Sequence, residues 1–239
     1  MKKVKRIFLA GLLLVGATAA WAQDEIETTV SGDVVSSYIW RGQDLGDVSL
    51  QPTLGVSYKG LSLTAWGSVG LTDPLDTKEF DLTLSYTTGG LNIGITDYWF
   101  DAGLDPDARY FKYDAHGTNH VFEANIGYDF GIASVQWFTN FAGNDGRNKD
   151  GKRAYSSYAE VVVPFKLSAI DWTATVGAVP FATSYYNDWT SGFAVTNVSL
   201  KATKDIKVTD SFSIPVFGQI AANPCTQKAY LVFGFTLQP

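Results

Sequence analysis

The chain has 239 residues, with 18 Lys and Arg against 24 Asp and Glu and a formal net charge of −6. This acidic balance argues against nucleic acid as a partner, because phosphate binding needs clustered basic side chains. The single cysteine, Cys225, excludes a framework of intramolecular disulfides.

The N-terminus has the pattern of a secretory signal peptide. Four basic residues precede an apolar run that ends in Ala20-Trp21-Ala22, a sequence that signal peptidase accepts. We predict that residues 1–22 are the signal and that 23–239 form one domain with 14 basic and 24 acidic residues, a net charge of −10. No segment of that domain reaches 18 consecutive apolar residues, so any membrane crossing has to use strands.

The rest of the chain alternates apolar with small or polar residues in segments of about ten residues. The clearest is 80–86, in which Phe, Leu, Leu and Tyr alternate with Asp, Thr and Ser. Such alternation is typical of strands with one apolar face. The pattern predicts an all-β protein with twelve strands, near residues 28–41, 49–58, 61–71, 79–87, 91–100, 119–128, 132–142, 154–165, 170–179, 192–203, 211–222 and 228–237.

The connections between these segments alternate between short and long over most of the chain. This is expected when every hairpin crosses a membrane, with tight periplasmic turns at one end and extended external loops at the other. The last two connections, 204–210 and 223–227, do not follow the rule. We predict a transmembrane antiparallel up-and-down β-barrel in a bacterial outer membrane, with both termini periplasmic.

Alternation by itself does not say which face is turned inward. A soluble sandwich or lipocalin-like barrel alternates too, with its apolar face inside. Two observations favour a membrane barrel: the polar face is rich in Gly, Ser, Thr, Asn and Gln, and aromatic residues gather near strand ends, as interfacial girdles require. These aromatic residues are Tyr38, Trp40, Tyr58, Tyr86, Trp99, Tyr128, Phe165 and Trp172.

If the aliphatic residues face lipid, strand parity turns seven charged residues into the barrel. A charge that faced lipid at mid-membrane would cost roughly 2–4 kcal/mol. These side chains either line a narrow, mildly acidic pore or pair with one another and fill a closed interior. The candidate pore-lining residues are Asp33, Arg41, Asp81, Glu123, Glu160, Asp171 and Lys201.

The segment 35–42, Val-Ser-Ser-Tyr-Ile-Trp-Arg-Gly, resembles the opening signature of the TorF-like porins, also described as the Gcw_chp family of bacterial outer-membrane proteins. The segment 62–68, Ser-Leu-Thr-Ala-Trp-Gly-Ser, is similar to that family's next outward-going strand. The resemblance implies an outer-membrane barrel and no catalytic residues. It suggests that Arg41 and Gly42 form a corner at the external end of the first strand, where Arg41 pairs with an inward carboxylate.

The leading functional hypothesis is a porin that passes small hydrophilic solutes. The alternatives are a non-conducting structural or adhesive barrel that presents its external loops, and a membrane enzyme acting on lipids, for which His116 and His120 would be tested. We predict no enzyme activity, no catalytic or metal-binding residues and no cofactor. The predicted partners are outer-membrane lipid, the barrel-assembly machinery, which recognises an aromatic-rich last strand, and small hydrophilic solutes.

Overall fold

A computed structural model describes residues 26–101, 105–115, 117–187, 192–210 and 212–239. The predicted signal peptide, 1–22, and His116 lie outside the described residues. The fold is a closed antiparallel β-barrel of twelve strands with one small two-stranded sheet, β2–β3, that is separate from the wall. The predicted all-β barrel and its strand number are therefore confirmed. No helix in the described part of the chain is long and apolar enough to cross a membrane.

The strands follow the chain order with short gaps. They are β1 (Glu27–Val35), β2 (Tyr38–Trp40), β3 (Gln43–Gly46), β4 (Ser49–Tyr58), β5 (Leu61–Gly70), β6 (Lys78–Thr88), β7 (Leu91–Asp101), β8 (His120–Asp129), β9 (Ser134–Gly143), β10 (Ser157–Leu167), β11 (Ile170–Val179), β12 (Ala194–Lys207), β13 (Ser213–Asn223) and β14 (Lys228–Leu237).

Each wall strand pairs with its neighbour in the chain, and β1 closes the barrel between β4 and β14. At the closing seam, Asp33 lies opposite Thr236, whose hydroxyl donates to the Asp33 carboxylate at 2.6 Å. The start of β1, at Glu27, and the end of β14, at Leu237, lie at the end where the connections are short, which we call the short-turn end. The other end is called the loop end.

The turns explain the difference between the two ends. At the short-turn end, β4 and β5 are joined by Lys59 and Gly60 alone, and both residues have positive φ. A two-residue hairpin turn needs positive φ at both positions to match the twist of its strands. The predicted bounds of the exception at 204–210 were wrong, because β12 continues to Lys207, and the connection shortens to 208–212, which is still the longest at this end. The exception at the loop end is real, since only 224–227 join β13 to β14.

The outside of the wall is apolar and the inside is polar. The outward side chains include Leu54, Leu63, Leu84, Ile95, Ile126, Val176, Leu200, Ile220 and Leu231, each exposed. Facing inward at the neighbouring positions are Thr53, Ser62, Thr64, Thr83, Ser85, Thr96, Gln136, Thr175, Ser199 and Gln219. A soluble barrel has the opposite arrangement, and this one fits lipid outside and water or polar groups within.

Aromatic side chains form a girdle on the outside of the short-turn end. Tyr58, Tyr86, Tyr128, Phe165 and Trp172 all point outward there, as predicted, and the rings of Phe165 and Trp172 are 6.2 Å apart. Tyr38 and Trp40 do not belong to a girdle. The strand predicted over 28–41 ends at Val35, and the chain then turns into the barrel, which places both rings in the interior.

Candidate functional site

The interior of the barrel differs between its two halves. In the short-turn half the wall carries small polar side chains that remain half-buried, which means that solvent reaches them. They are Thr29, Ser31, Ser57, Ser62, Thr64, Thr83, Ser85, Asn92 and Thr203. Most inward side chains of this half are small, and an exception is the buried ring of Phe217 on β13, which pairs with Thr203.

The loop half is filled by the segment between β1 and β4, residues 36–48, which we call the inner hairpin. It contains β2 and β3 and turns at Arg41 and Gly42, which have φ of 49° and 80°. A side chain at position 42 would place its Cβ 1.8 Å from the carbonyl oxygen of Thr196 on β12. Gly42 therefore permits both the turn and the close approach to the opposite wall.

The inner hairpin is fixed to the wall by a buried ion pair. The Arg41 guanidinium donates to both carboxylate oxygens of Glu123 on β8, at 2.6 and 2.9 Å. The two side chains are 4% and 2% exposed, so the pair lies in the interior. Two-pronged contact between guanidinium and carboxylate is the strongest such geometry. The expected pairing of Arg41 with an inward carboxylate is present, although Arg41 lies at the tip of a separate hairpin and not at the end of a wall strand.

Tyrosine hydroxyls complete this contact. Tyr98 donates to Glu123 at 2.9 Å, and the Tyr186 hydroxyl accepts from Arg41 and lies 3.5 Å from Glu123. Burial raises the pKa of Tyr186, which belongs to the connection between β11 and β12, well above its usual value. This hydroxyl consequently keeps its proton and can donate to the carboxylate.

Aromatic rings enclose the guanidinium of Arg41. Its central carbon lies 4.3 Å from the ring centre of Trp40, 4.1 Å from that of Phe138 and 4.7 Å from that of Tyr158. These are cation–π distances. Tyr186 also stacks on Trp40, at 6.1 Å between ring centres. The inner hairpin and these rings together close the lumen at the level of Arg41.

A second contact holds the base of the inner hairpin. Tyr38 donates to Glu79 on β6 at 2.8 Å, and its ring lies 5.6 Å from that of Trp66. Asp81, two residues along the same strand, is 1% exposed, and neither of its carboxylate oxygens has a hydrogen bond of ordinary geometry among the described residues. Sequence analysis did not select Glu79, although it shares the inward parity of Asp81.

The seven residues selected from the sequence occupy three different places. Asp33, Asp81, Glu123 and Glu160 are buried on the inner wall, and Lys201 is on the same wall with its ammonium 3.7 Å from the ring centre of Phe217. Arg41 is on the inner hairpin. Asp171 lies at the rim of the short-turn end, where it is solvent-exposed and pairs with Lys166 at 3.0 Å.

A cavity of about 210 Å³ lies inside the barrel below the inner hairpin. Its lining includes three charged wall residues, Asp33, Glu160 and Lys201, and the rings of Tyr38 and Trp66. Glu160 is 2% exposed, and neither carboxylate oxygen has a hydrogen bond of ordinary geometry among the described residues. Within the described ranges, no three His, Cys, Asp or Glu side chains are grouped to hold a metal ion.

The described histidine, His120, is on the outside of the wall. Its Nδ1 lies 2.7 Å from the Asp97 carboxylate and its Nε2 lies 2.5 Å from the Tyr110 carbonyl oxygen. The ring of Tyr113 stacks on it at 4.2 Å. Residues 105–115, called the outer segment, are thereby attached to the outer face of β7 and β8. Both ring nitrogens are engaged, so neither is left to activate a hydroxyl group.

Apart from Trp40, which was assigned to a girdle, sequence analysis did not identify the aromatic residues that surround Arg41. Tyr158 and Phe138 lie at inward positions of β10 and β9, and parity could have placed them in the interior. Tyr185 and Tyr186 lie in a connection, where no periodicity indicates direction. Their inward position follows from contact with Trp40, at 6.4 and 6.1 Å between ring centres.

No family model matches the sequence, and no curated protein matches it. The resemblance to the TorF-like family therefore remains a prediction. Two solved structures are similar to this chain. The first comes from a study of the in-meso crystallization of membrane proteins. It is 8% identical, with a TM-score of 0.41, and the match covers 89% of this chain and 83% of that one. OccK9 (OpdG) of Pseudomonas aeruginosa is 12% identical, with a TM-score of 0.33, and the match covers 88% of this chain and 57% of OccK9. At these scores the two similarities add nothing to what the geometry of the chain itself shows.

Proposed function

We propose that the chain is an outer-membrane β-barrel that passes small hydrophilic solutes and that its inner hairpin closes the lumen at rest. The apolar exterior supports the membrane location, since a band of exposed aliphatic side chains is favourable only in lipid. Short turns are typical of the periplasmic side. We therefore assign the short-turn end, where β1 begins and β14 ends, to the periplasm and the loop end to the exterior.

One observation carries the proposal of passage: a large part of what fills the interior is a segment that does not belong to the wall. Small polar residues line most of the short-turn half, and in the loop half the inner hairpin packs against the inward rings of Tyr98, Phe138 and Tyr158. Because Val35 and Ser49 are direct register partners on β1 and β4, the wall is complete without residues 36–48. A barrel built only to be solid would fill its interior from the wall strands, as small barrels do.

A non-conducting barrel is the second candidate, and the Arg41–Glu123 pair favours it. The pair is buried, held by two hydrogen bonds and surrounded by rings. Removing one partner of such a pair costs about 3–5 kcal/mol. If the pair never separates under native conditions, the interior is permanently closed and the external loops carry the function.

The deciding experiment replaces residues 36–48 with a four-residue Gly-Ser turn between Val35 and Ser49. The replacement removes the inner hairpin and leaves the twelve wall strands unchanged. In planar bilayers we expect steady conductance steps from this variant and rare, smaller openings from the wild-type protein. If the variant is folded, as judged by heat-dependent mobility in electrophoresis, and gives no steps, the proposal of passage is wrong.

A point variant provides a matched control. Gly42→Ala introduces a Cβ that collides with the backbone of Thr196, and the inner hairpin has to leave its position. Gly151→Ala changes another glycine with positive φ, 73°, that has nothing within 4 Å of the added Cβ. We expect the Gly42 variant to open the lumen and the Gly151 variant to behave as wild type. Equal conductance in the two would show that the inner hairpin does not close the barrel.

A further inference from the structure

A second cavity, of about 450 Å³, lies at the loop end on the external side of the inner hairpin, and we call it the mouth cavity. It is formed where β7 and β8 meet the connection between β9 and β10 and the connection between β11 and β12. Three of its side chains, Asn144, Arg147 and Ser184, are exposed, so a solute can reach it from the loop end. Its volume is within the roughly 300–1,000 Å³ of small-molecule sites.

Two aromatic rings form apolar walls of the mouth cavity. Phe100 of β7 has the inward parity of Tyr98, and the two rings stack at 6.2 Å with 12° between their planes. Tyr185 meets Trp40 of the inner hairpin edge-on, at 6.4 Å between ring centres. Tyr98 also meets Trp40, at 5.8 Å, so both walls rest on the rings around Arg41. Phe100 and Tyr185 therefore present apolar ring surface to the cavity from fixed positions.

The polar side of the mouth cavity is held in place without a ligand. The Arg147 amide donates to the Ser184 hydroxyl at 3.0 Å, and the Ser184 amide donates to the Arg147 carbonyl oxygen at 3.4 Å, which joins the two connections. Gly146 permits this approach, because an added Cβ would lie 3.0 Å from the Ser184 hydroxyl and from Tyr185. The Asp145 carboxylate accepts from the Gly146 amide at 2.7 Å. The cavity is therefore preorganised, which lowers the cost of binding.

The polar side chains of the mouth cavity keep hydrogen-bonding capacity for a ligand. The Arg147 guanidinium donates one of its several N–H groups to the Gly151 carbonyl oxygen at 2.8 Å. The Asn119 side chain donates to a backbone carbonyl oxygen of β7 at 2.8 Å, which leaves its own oxygen as an acceptor. Asn144 has both a donor and an acceptor in an exposed side chain. Because the charges of Arg147 and Asp145 balance, the cavity presents donors and acceptors without a net charge.

We propose that the mouth cavity binds a neutral mono- or disaccharide. A sugar ring has apolar C–H faces, which match the ring surfaces of Phe100 and Tyr185. Its hydroxyl groups both donate and accept, which matches the mixed groups of Asn119, Asn144 and Arg147. An ion would meet no net charge, and a purely apolar solute would take water from the polar groups and return no hydrogen bond. The inference rests on the proposed function, because it names the class of solute that enters the same lumen from outside.

The test measures binding to the folded wild-type protein in a detergent without a sugar headgroup. An NMR titration compares glucose, galactose, maltose and sucrose with sorbitol, which carries its hydroxyl groups on an open chain without a ring. We expect at least one of these sugars to bind with a Kd below about 10 mM and roughly fivefold or more tighter than sorbitol. Glucuronate and glucosamine are charged and should bind no tighter than the best neutral sugar. Absence of binding by every neutral sugar, equal affinity for sorbitol, or tighter binding of a charged analogue overturns the proposal.

Variants of the lining assign the site. Phe100→Leu removes a ring and should weaken sugar binding by roughly five- to tenfold, whereas Phe111→Leu, on the outer segment and 87% exposed, should leave it as in wild type. Arg147→Gln removes the guanidinium and should weaken binding by about tenfold, whereas Lys149→Gln, on the same connection and outside the cavity, should not. Asn144→Ala changes an exposed side chain and should weaken binding by roughly fivefold, which keeps the assignment testable if Phe100→Leu does not fold. Folding of each variant is checked by heat-dependent mobility.

The outcome is separable from that of the conductance experiment. Sugar binding to the wild-type protein, with no conductance from the variant without the inner hairpin, would overturn passage and leave the sugar site in place. Conductance from that variant, with no sugar binding to the wild-type protein, would overturn the sugar site alone. Sugar binding that the substitutions of Phe100, Arg147 and Asn144 all leave unchanged would place the ligand elsewhere and overturn the assignment to the mouth cavity.

Discussion

The inner hairpin and the outer segment are attached to opposite faces of the same pair of strands, β7 and β8. The inner hairpin is held by Arg41 and Glu123, and the outer segment by His120 and Asp97. Glu123 and His120 are three residues apart on β8, so the alternation of the strand points one inward and the other outward. Both regions show that a connecting segment is held in place by a charged side chain of the wall.

The two attachments differ in the contacts that form them and in how they are enclosed. Arg41 contacts both carboxylate oxygens of Glu123 on the inside of the barrel. His120 faces one carboxylate oxygen of Asp97 and the carbonyl oxygen of Tyr110. The inner attachment is enclosed by four aromatic rings around the guanidinium, whereas the His120 ring packs against three, those of Tyr110, Tyr113 and Phe122. This difference predicts that the inner hairpin is held more tightly than the outer segment.

The largest effect is expected from Glu123→Gln. The change leaves Arg41 buried without a counter-charge and should lower the free energy of unfolding by about 3–5 kcal/mol. The measurement is urea-induced unfolding in detergent, together with conductance, which should rise as the inner hairpin is released. The double variant Arg41→Met/Glu123→Gln removes both charges and should lose less stability than Glu123→Gln alone. A larger loss in the double variant would contradict the role of the uncompensated charge.

A smaller effect is expected from Asp97→Asn. The substitution weakens the contact with His120 and should cost about 1–3 kcal/mol locally, which frees the outer segment. Trypsin cleavage after Arg109 and Lys112 should become faster, while the conductance of the protein stays as in wild type. Glu123→Gln serves as the control, with cleavage at these sites unchanged. If Asp97→Asn altered conductance, the inner and outer attachments would be coupled through β7 and β8.

The smallest effect is expected from Asp171→Asn at the rim of the short-turn end. Its ion pair with Lys166 joins two side chains that are 55% and 64% exposed. Exposed pairs of this kind contribute about 0–1 kcal/mol. We expect the unfolding curve of the variant to overlap with that of the wild type. The contribution of this ion pair to stability should fall further in high salt. A loss near that of Glu123→Gln would show that burial does not govern the strength of these contacts.

Much of the wall was predictable from the sequence because its determinants are local. Alternation along each strand indicated which residues face inward, and Asp33, Asp81, Glu123 and Glu160 are buried inside, as parity required. Glu79 has the same parity and could have been selected by the same argument. The tight turns, such as Lys59-Gly60, were visible as short breaks between alternating segments.

The position of the inner hairpin was not predictable in this way. Residues 28–41 read as one strand, since β-type residues continue through Tyr38 to Trp40. Whether a strand remains in a wall depends on its partners, and the pairing of β1 ends where Val35 meets Ser49 on one side and Gly234 on the other. Beyond Val35 the chain leaves the wall and crosses the lumen.

By itself, the sequence determined an acidic all-β chain, twelve alternating wall strands and the face to which each charge belongs, because these depend on the residue type and on the period of two. Only the tertiary structure decided that Arg41 meets Glu123 across the lumen and that His120 anchors a segment outside. Arg41 and Glu123 are 82 positions apart in the chain, and His120 and Asp97 are 23 positions apart. These contacts exist only after the closed sheet has brought its strands together.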